Sequence, residues 1–307
     1  MSVGLGPLQE YLSHPDTFEV MVVHGTEIWV EDREGLRRVD SLRTEQTADC
    51  IEHIARVSGR RIDLMHPVLD ARLDDGTRAC VVIPPISLTG ASINLRKFPA
   101  RVLPLAAFGP QECTDIVRRI VAEKKNVVVS GETSSGKTSL LSSVAHIFAP
   151  HERIICVEDT SELRITHPHV VHLQTRSVNA EGAGEVTLQD LVRTSLRMRP
   201  DRLLVGEVRG AEAIDMVLAL TSGHRGCWST VHADTASHTV TRLANIIMRD
   251  APQWSTHHVE NLVHHATDVV IHMVRNAQGR RRINEIVSVS EKTQVHLYGP
   301  VFPERSH

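Results

Sequence analysis

Along the first 98 residues, apolar positions recur at every second place in short stretches separated by turn residues. Residues 18–25 and 27–39 alternate in this way and are interrupted at His24-Gly25 and at 33–35, the pattern of β-hairpins. Residues 44–59 switch to helical spacing and end on Gly59, a normal helix stop. Residues 78–88 read as a strand as far as Pro84-Pro85, and 91–98 resume the alternation. This predicts a small α+β domain over residues 1–98. Prolines at 99, 104 and 110 mark 99–110 as a linker to a second domain, 111–307.

Beyond the linker the rhythm changes to apolar runs separated by amphipathic stretches. Residues 127–130, 154–158, 170–174, 203–207 and 227–233 are the candidate strands. Between them lie helical segments such as 187–199, where Thr187 and Asp190 make a capping box. Strands alternating with helices predict an α/β domain whose mostly parallel sheet is covered on both faces. The tail, 269–289, reads as a hairpin turning near Gln278-Gly279. There is no internal repeat.

Composition narrows the function classes. Of 307 residues, 34 are Lys or Arg and 37 are Asp or Glu, a formal charge of −3 that argues against a dedicated nucleic-acid binder. Aromatic residues at 3% leave little for base-stacking platforms. No apolar run approaches the roughly 18–20 residues that span a bilayer. Residues 1–16 have neither the basic nor the apolar region of a signal peptide, so an intracellular protein is expected. Five scattered cysteines without a CxxC pair read as buried apolar groups in a reducing compartment.

The chemistry centres on Gly131-Glu132-Thr133-Ser134-Ser135-Gly136-Lys137-Thr138, which matches G-x-x-x-x-G-K-[ST] at every fixed position, with Ser139 following. An apolar strand precedes the match and a helical run follows it. Glycines let backbone N–H groups close around phosphates, and the helix N-terminus adds partial positive charge. Lys137 is expected to reach the β- and γ-phosphates of ATP, and the Thr138 hydroxyl to bind Mg²⁺. Hydrolysis also needs acids at the C-terminal ends of strands. Glu158, Asp159 and Glu162 follow one candidate strand and Glu207 ends another. Glu207 is expected to orient or deprotonate the attacking water. Glu158 is expected nearer the metal, and Glu158, Asp159 and Glu207 join Thr138 in the Mg²⁺ set. His232 ends a further strand, where it could sense the γ-phosphate or bridge to an acid. His257, His258, His264 and His265 read as a surface helix, and Arg280-Arg281-Arg282 as a solvated edge that blocks strand pairing.

The ordered segments P-loop, CVEDTSEL, RPDRLLVGEVRG and STVHADTA resemble the Walker A, Asp box, atypical Walker B and His box of the type II/type IV secretion ATPase superfamily. DTFEVMVVHGTEIWVE, DARLDDGTRACVVIPP and INLRKF are similar to the N-terminal domain of tight-adherence (Tad) and CpaF-type pilus ATPases. The resemblance implies a RecA-like P-loop ATPase domain joined to a PAS-like N-terminal domain. It also implies a cytoplasmic homohexamer that hydrolyses ATP at a membrane platform, with ATP between the domains and at the subunit boundary. The partner would be a polytopic inner-membrane protein of a pilus or secretion machine, so membrane association is peripheral and no direct nucleic acid is expected. His232 would couple nucleotide state to its neighbours, and Arg78 and Arg96 would approach the nucleotide as arginine fingers do. Arg193, Arg197 and Arg199 form a second basic set without an implied role. Asp234 stands where the family more usually has Asn. Neither a four-cysteine zinc module nor the N-terminal extension of many Tad-type members is seen. Two other classes remain open: a nucleic-acid translocase and a nucleotide-dependent interaction switch with little turnover.

Overall fold

In the first third of the chain the alternating stretches become a sheet because every second side chain has a core to enter. The computed structural model describes residues 4–32, 34–97, 102–176, 178, 183–276, 279–289 and 294–299. Residues 1–3 and 98–101, the hairpin residue Gln278 and 300–307 lie outside them, and with them the expected domain boundary at residue 98. The strands are β1 (Glu19–Val23), β2 (Glu27–Asp32), β3 (Gly35–Ser41), β4 (Val68–Arg72), β5 (Arg78–Val82) and β6 (Ser92–Arg96). They pair antiparallel in the order β3-β2-β1-β6-β5-β4. Val20, Val22, Ile28, Val30, Val81, Ile93 and Leu95 turn to one side. Helices α1 (Leu8–Ser13) and α2 (Thr44–Ser58) cover that side with Leu8, Leu12, Cys50 and Ile54. Gly59 ends α2 in the left-handed region, φ 63°.

Residues Val102–His307 form a second compact unit, distinct from Met1–Arg101. Its elements are α3 (Gln111–Ala122), β7 (Val127–Gly131), α4 (Lys137–Ala145), β8 (Ile154–Glu158), β9 (Val170–Gln174), α5 (Leu188–Leu196), β10 (Arg202–Val205) and α6 (Glu212–Thr221). They continue with β11 (Trp228–Val231), α7 (His238–Asp250), α8 (Thr256–Ala266), β12 (Val269–Arg275), β13 (Arg281–Val289) and β14 (Gln294–Tyr298). The sheet order is β14-β13-β12-β7-β11-β10-β8-β9. From β12 to β9 the pairs are parallel, while β13 and β14 return antiparallel at one edge. All residues of β7, β8, β10 and β11 are buried, as expected for strands covered on both faces. One face packs on α5 to α8 and the other on α3 and α4. Among the described residues no helix is long and apolar enough to cross a membrane.

Residues 102–110 differ from the expected linker. Leu105–Ala107 forms a 3-10 turn, and Leu105 and Phe108 are buried with α3 and α4 residues in the core of the second unit. Ser143 Oγ on α4 donates to Leu103 O at 2.5 Å, and Ile283 N donates to Phe108 O at 2.8 Å. The prolines only prevent regular helix or strand there; Phe108, 0% exposed, decides where the segment goes. Phe108→Ala should cost about 3–5 kcal/mol in urea unfolding of the second unit. A loss under about 1 kcal/mol, the range of a surface change, would show the segment to be loosely attached.

Candidate functional site

Between the end of β7 at Gly131 and the start of α4 at Lys137 the chain folds back over the helix N-terminus. Ser134, at φ 62°, and Gly136, at φ 99°, both take left-handed backbone. Such a conformation at a non-glycine residue costs on the order of 1 kcal/mol and persists where surrounding structure imposes it. The Ser135 hydroxyl is buried and has no hydrogen-bond partner among the described residues. Lys137 is buried, and its Nζ donates to Gly131 O at 2.9 Å and to Glu132 O at 2.8 Å. A third acceptor, His232 Nδ1, lies 3.4 Å away. Burial pushes the Lys137 ammonium down to about 8, against the pull of the Glu207 carboxylate.

Sheet order explains how His232 and Glu207 arrive there. β11 lies between β7 and β10, and all three run parallel. Their C-terminal ends therefore open on one side. His232 is the first residue after β11, and Glu207 stands two residues beyond β10. The turn carrying Glu207 is tied to β11, since Val208 N donates to Thr230 O at 2.8 Å and Thr230 Oγ1 to Gly206 O at 2.7 Å. Glu207 Oε1 lies 2.7 Å from His232 Nε2. The pair is misaligned for a hydrogen bond, so this buried oxygen keeps unfilled acceptor capacity. Arg209 Nη2 pairs with Glu207 Oε2.

Burial and the Lys137 charge hold His232 below the ordinary imidazole value, and Glu207 only partly opposes them. The ring is therefore neutral at pH 7. A lysine only donates, so Nδ1 is the acceptor and the ring proton sits on Nε2, toward Glu207. The row Lys137–His232–Glu207–Arg209 links the phosphate loop to the end of β10.

Glu158 ends β8 and is buried. Its Oε1 accepts backbone N–H bonds from Glu162 and Leu163, each at 2.9 Å, and so holds the turn after the strand. Oε2 receives the weak Cys156 S–H at 3.4 Å and is the donor atom left for a cation. Burial raises the carboxyl above its usual range despite these bonds. A Cβ on Gly206 would stand 2.9 Å from Glu158 Cγ, so glycine before Glu207 is what leaves room for the Glu158 side chain. Asp159 is exposed beside it. Cys156, Glu158 and His172 also place ligand atoms within 4.8 Å of one another, a thiol–imidazole set unlike the all-oxygen shell of Mg²⁺. The oxygen of Thr138, half-buried in the first turn of α4, and Oε2 of Glu158 suit that hard cation, while Oε1 of Glu207 keeps acceptor capacity for a water.

Arg78 and Arg96 belong to the first unit, directly opposite each other on β5 and β6. Like charges so placed repel; Arg78 is relieved by Asp70, at 3.2 and 2.7 Å, and Arg96 has Glu19 opposite it on β1. Asp234 turns to His238, at 3.2 Å. Arg193 pairs with Asp215 at 2.8 Å, Arg197 ends α5, and Arg199 is exposed at φ 55°. The four histidines lie on α8, where His257 bonds Asn261 and His258 packs edge-on against Trp254. Arg281 departs from the solvated-edge expectation: it is half-buried, with Nη1 3.4 Å from Ser139 Oγ. Its signal was hidden because strand alternation separates three consecutive arginines only once the register is known.

A sequence model of the family described as "Type II/IV secretion system protein" matches residues 2–298. The chain is 37% identical over 296 residues to a putative conjugal transfer protein of Mycobacterium tuberculosis, covering 92% of this chain and 84% of that one. It is 32% identical over 312 residues to the type IV secretion system protein PtlH of Bordetella pertussis, covering 91% of each. Among solved structures it is similar to the VirB11 ATPase of the Brucella suis type IV secretion system, with 30% identity, a TM-score of 0.51 and coverage of 92% and 93%.

The Lys137 ammonium is half-titrated near pH 8 in the ligand-free protein, and a bound polyphosphate would hold its proton. Binding of ATP should therefore take up about half a proton near pH 8, more above it, and weaken as pH rises from 7 to about 9. Calorimetry in buffers of different ionisation enthalpy measures this uptake, which Lys137→Ala should abolish.

Proposed function

The chain belongs to the type II/IV secretion system protein family, and on that footing we propose that it is a Mg²⁺-dependent ATPase working as a homohexameric motor at the cytoplasmic face of the membrane. The observation that supports this most directly is the row from Lys137 through His232 to Glu207, at 3.4 and 2.7 Å, on the phosphate loop and the two strand ends beside it. Backbone N–H groups of the loop and the N-terminus of α4 receive the phosphates. Thr138, with Glu158 Oε2 and Asp159 as further oxygens, would hold Mg²⁺, which would neutralise phosphate charge when bound; Glu207, expected in that set, is kept for the water.

Lys137 has three hydrogens and already faces three acceptors. A γ-phosphate oxygen must displace one of them. The longest, His232 Nδ1, is the one given up at least cost. His232 then reorients while its Nε2–H stays near Glu207. Oε1 of Glu207 takes the proton of the attacking water as the water oxygen bonds phosphorus and the bond to ADP breaks. Arg209 holds Oε2 of Glu207 and so directs the carboxylate. In this way occupancy of the loop is reported to the strand end that performs hydrolysis.

The work done is assembly of a pilus or secretion machine, through a polytopic membrane partner. The tight-adherence assignment is supported by the strings in the first unit, while the matched relatives are named for conjugal transfer and type IV secretion. Arg78 and Arg96 are assigned to transition-state charge stabilisation, so Ala at either position should lower turnover with ATP affinity retained.

Glu207→Gln should cut steady-state phosphate release by about 100- to 1,000-fold while ATP affinity changes little. Persistent turnover in that variant would overturn the role given to Glu207. Sedimentation with ATP and Mg²⁺ should show a particle about six times the 34.1 kDa chain; monomer alone at micromolar concentration would sink the ring.

A further inference from the structure

The phosphate loop has a side wall that its motif does not include. β12 runs parallel to β7 with Met273 level with Gly131, and β13 returns antiparallel with Arg281 level with Arg275. Arg281 thereby arrives at the mouth of the loop. A Cβ on Gly136 would stand 2.8, 3.0 and 3.2 Å from its Cδ, Cβ and Cγ, so its stem fills the space a side chain at 136 would need. Its Nη1 lies 3.4 Å from Ser139 Oγ in the first turn of α4. Arg280 and Arg282 on either side are exposed, leaving Arg281 as the member of the run that faces the loop.

Sheet order gives this position a direction. β7 lies between β11 and β12. On the β11 side stand His232 and Glu207, the end at which the γ-phosphate reacts; on the β12 side stands Arg281. The loop N–H groups cradle the α- and β-phosphates while the lysine reaches the β- and γ-phosphates. A polyphosphate laid across the loop therefore has its α-phosphate on the Arg281 side.

We propose that Arg281 is a binding residue for the α-phosphate of the nucleotide, an inference that rests on the ATP reading above. Guanidinium is planar, permanently charged and weakly hydrated, and it suits a half-buried phosphate contact. The α-phosphate is common to ATP and ADP, so Arg281 holds both. Discrimination between them falls to Lys137 and His232.

The test is calorimetric affinity of the full chain and its Arg281→Ala and Arg281→Lys variants for ATP, ADP and GTP, with melting temperatures measured without nucleotide. Arg281→Ala should weaken all three about 10-fold or more, as loss of a charge-assisted hydrogen bond implies, and Arg281→Lys should recover part of that. If Arg281→Ala melts early without nucleotide, the lysine variant carries the test, with a smaller loss equal for the three nucleotides. Unchanged affinities in both variants would overturn the inference. So would a loss confined to ATP, which would put the guanidinium at the γ-phosphate, or a loss for ATP and ADP that spares GTP, which would put it on the base. A wild-type chain that binds none of the three would overturn the ATP reading itself, a different result from normal wild-type binding with an indifferent Arg281.

Discussion

A buried ammonium must find acceptors for its hydrogens, and the second unit is arranged around that requirement at Lys137. Leaving such a group unpaired costs several kcal/mol. Two loop carbonyls and one imidazole nitrogen meet the demand. The first two are local and hold the loop closed over its own helix. The third comes from the end of β11 and makes the loop's condition matter to a neighbouring strand. Burial has already brought the lysine down to about 8, so an arriving anion restores the charged form that burial disfavours.

Parallel strands make such a meeting possible without long loops. Because β7, β11, β10 and β8 run in the same direction, their C-terminal ends deliver Gly131, His232, Glu207 and Glu158 to one rim of the sheet. Glycine at 206 leaves room for the Glu158 side chain. The strands are buried on both faces and mostly apolar, so the polar residues at the rim rest on a packed support. Precise placement of a few groups on rigid elements is what proton transfer needs.

Much of this was legible in the residues themselves. The loop, the acids at 158 and 207 and the histidine at 232 carry local signals: glycine spacing, and polar groups closing apolar runs. Strand order was not legible. A bridge from His232 to an acid was one of the options in the sequence, but that its other ring nitrogen faces Lys137 was not. The engagement of Glu158 with the backbone of residues 162 and 163 also escaped, since a strand-end acid that caps a turn and one that awaits a cation look alike in sequence. Residues 102–110 misled for a different reason. Proline frequency reports the lack of regular structure; burial of Leu105 and Phe108 is a tertiary fact. Arg281 was masked by the arginines beside it, because a charge run has no facing until its strand has a register.

The anchoring of residues 102–110 has a mechanical consequence. From Val102 onward the backbone belongs to the second unit, bonded to α4 through Leu103 and seated in its core through Phe108. A slack tether would absorb a pull as extension and return nothing. Here a tug along the chain reaches the helix whose first turn holds the phosphate loop, and a shift of that helix is felt in the chain. Residues 102–110 thus travel with α4 and its phosphate loop as part of one body, and the prolines within them do not act as a hinge.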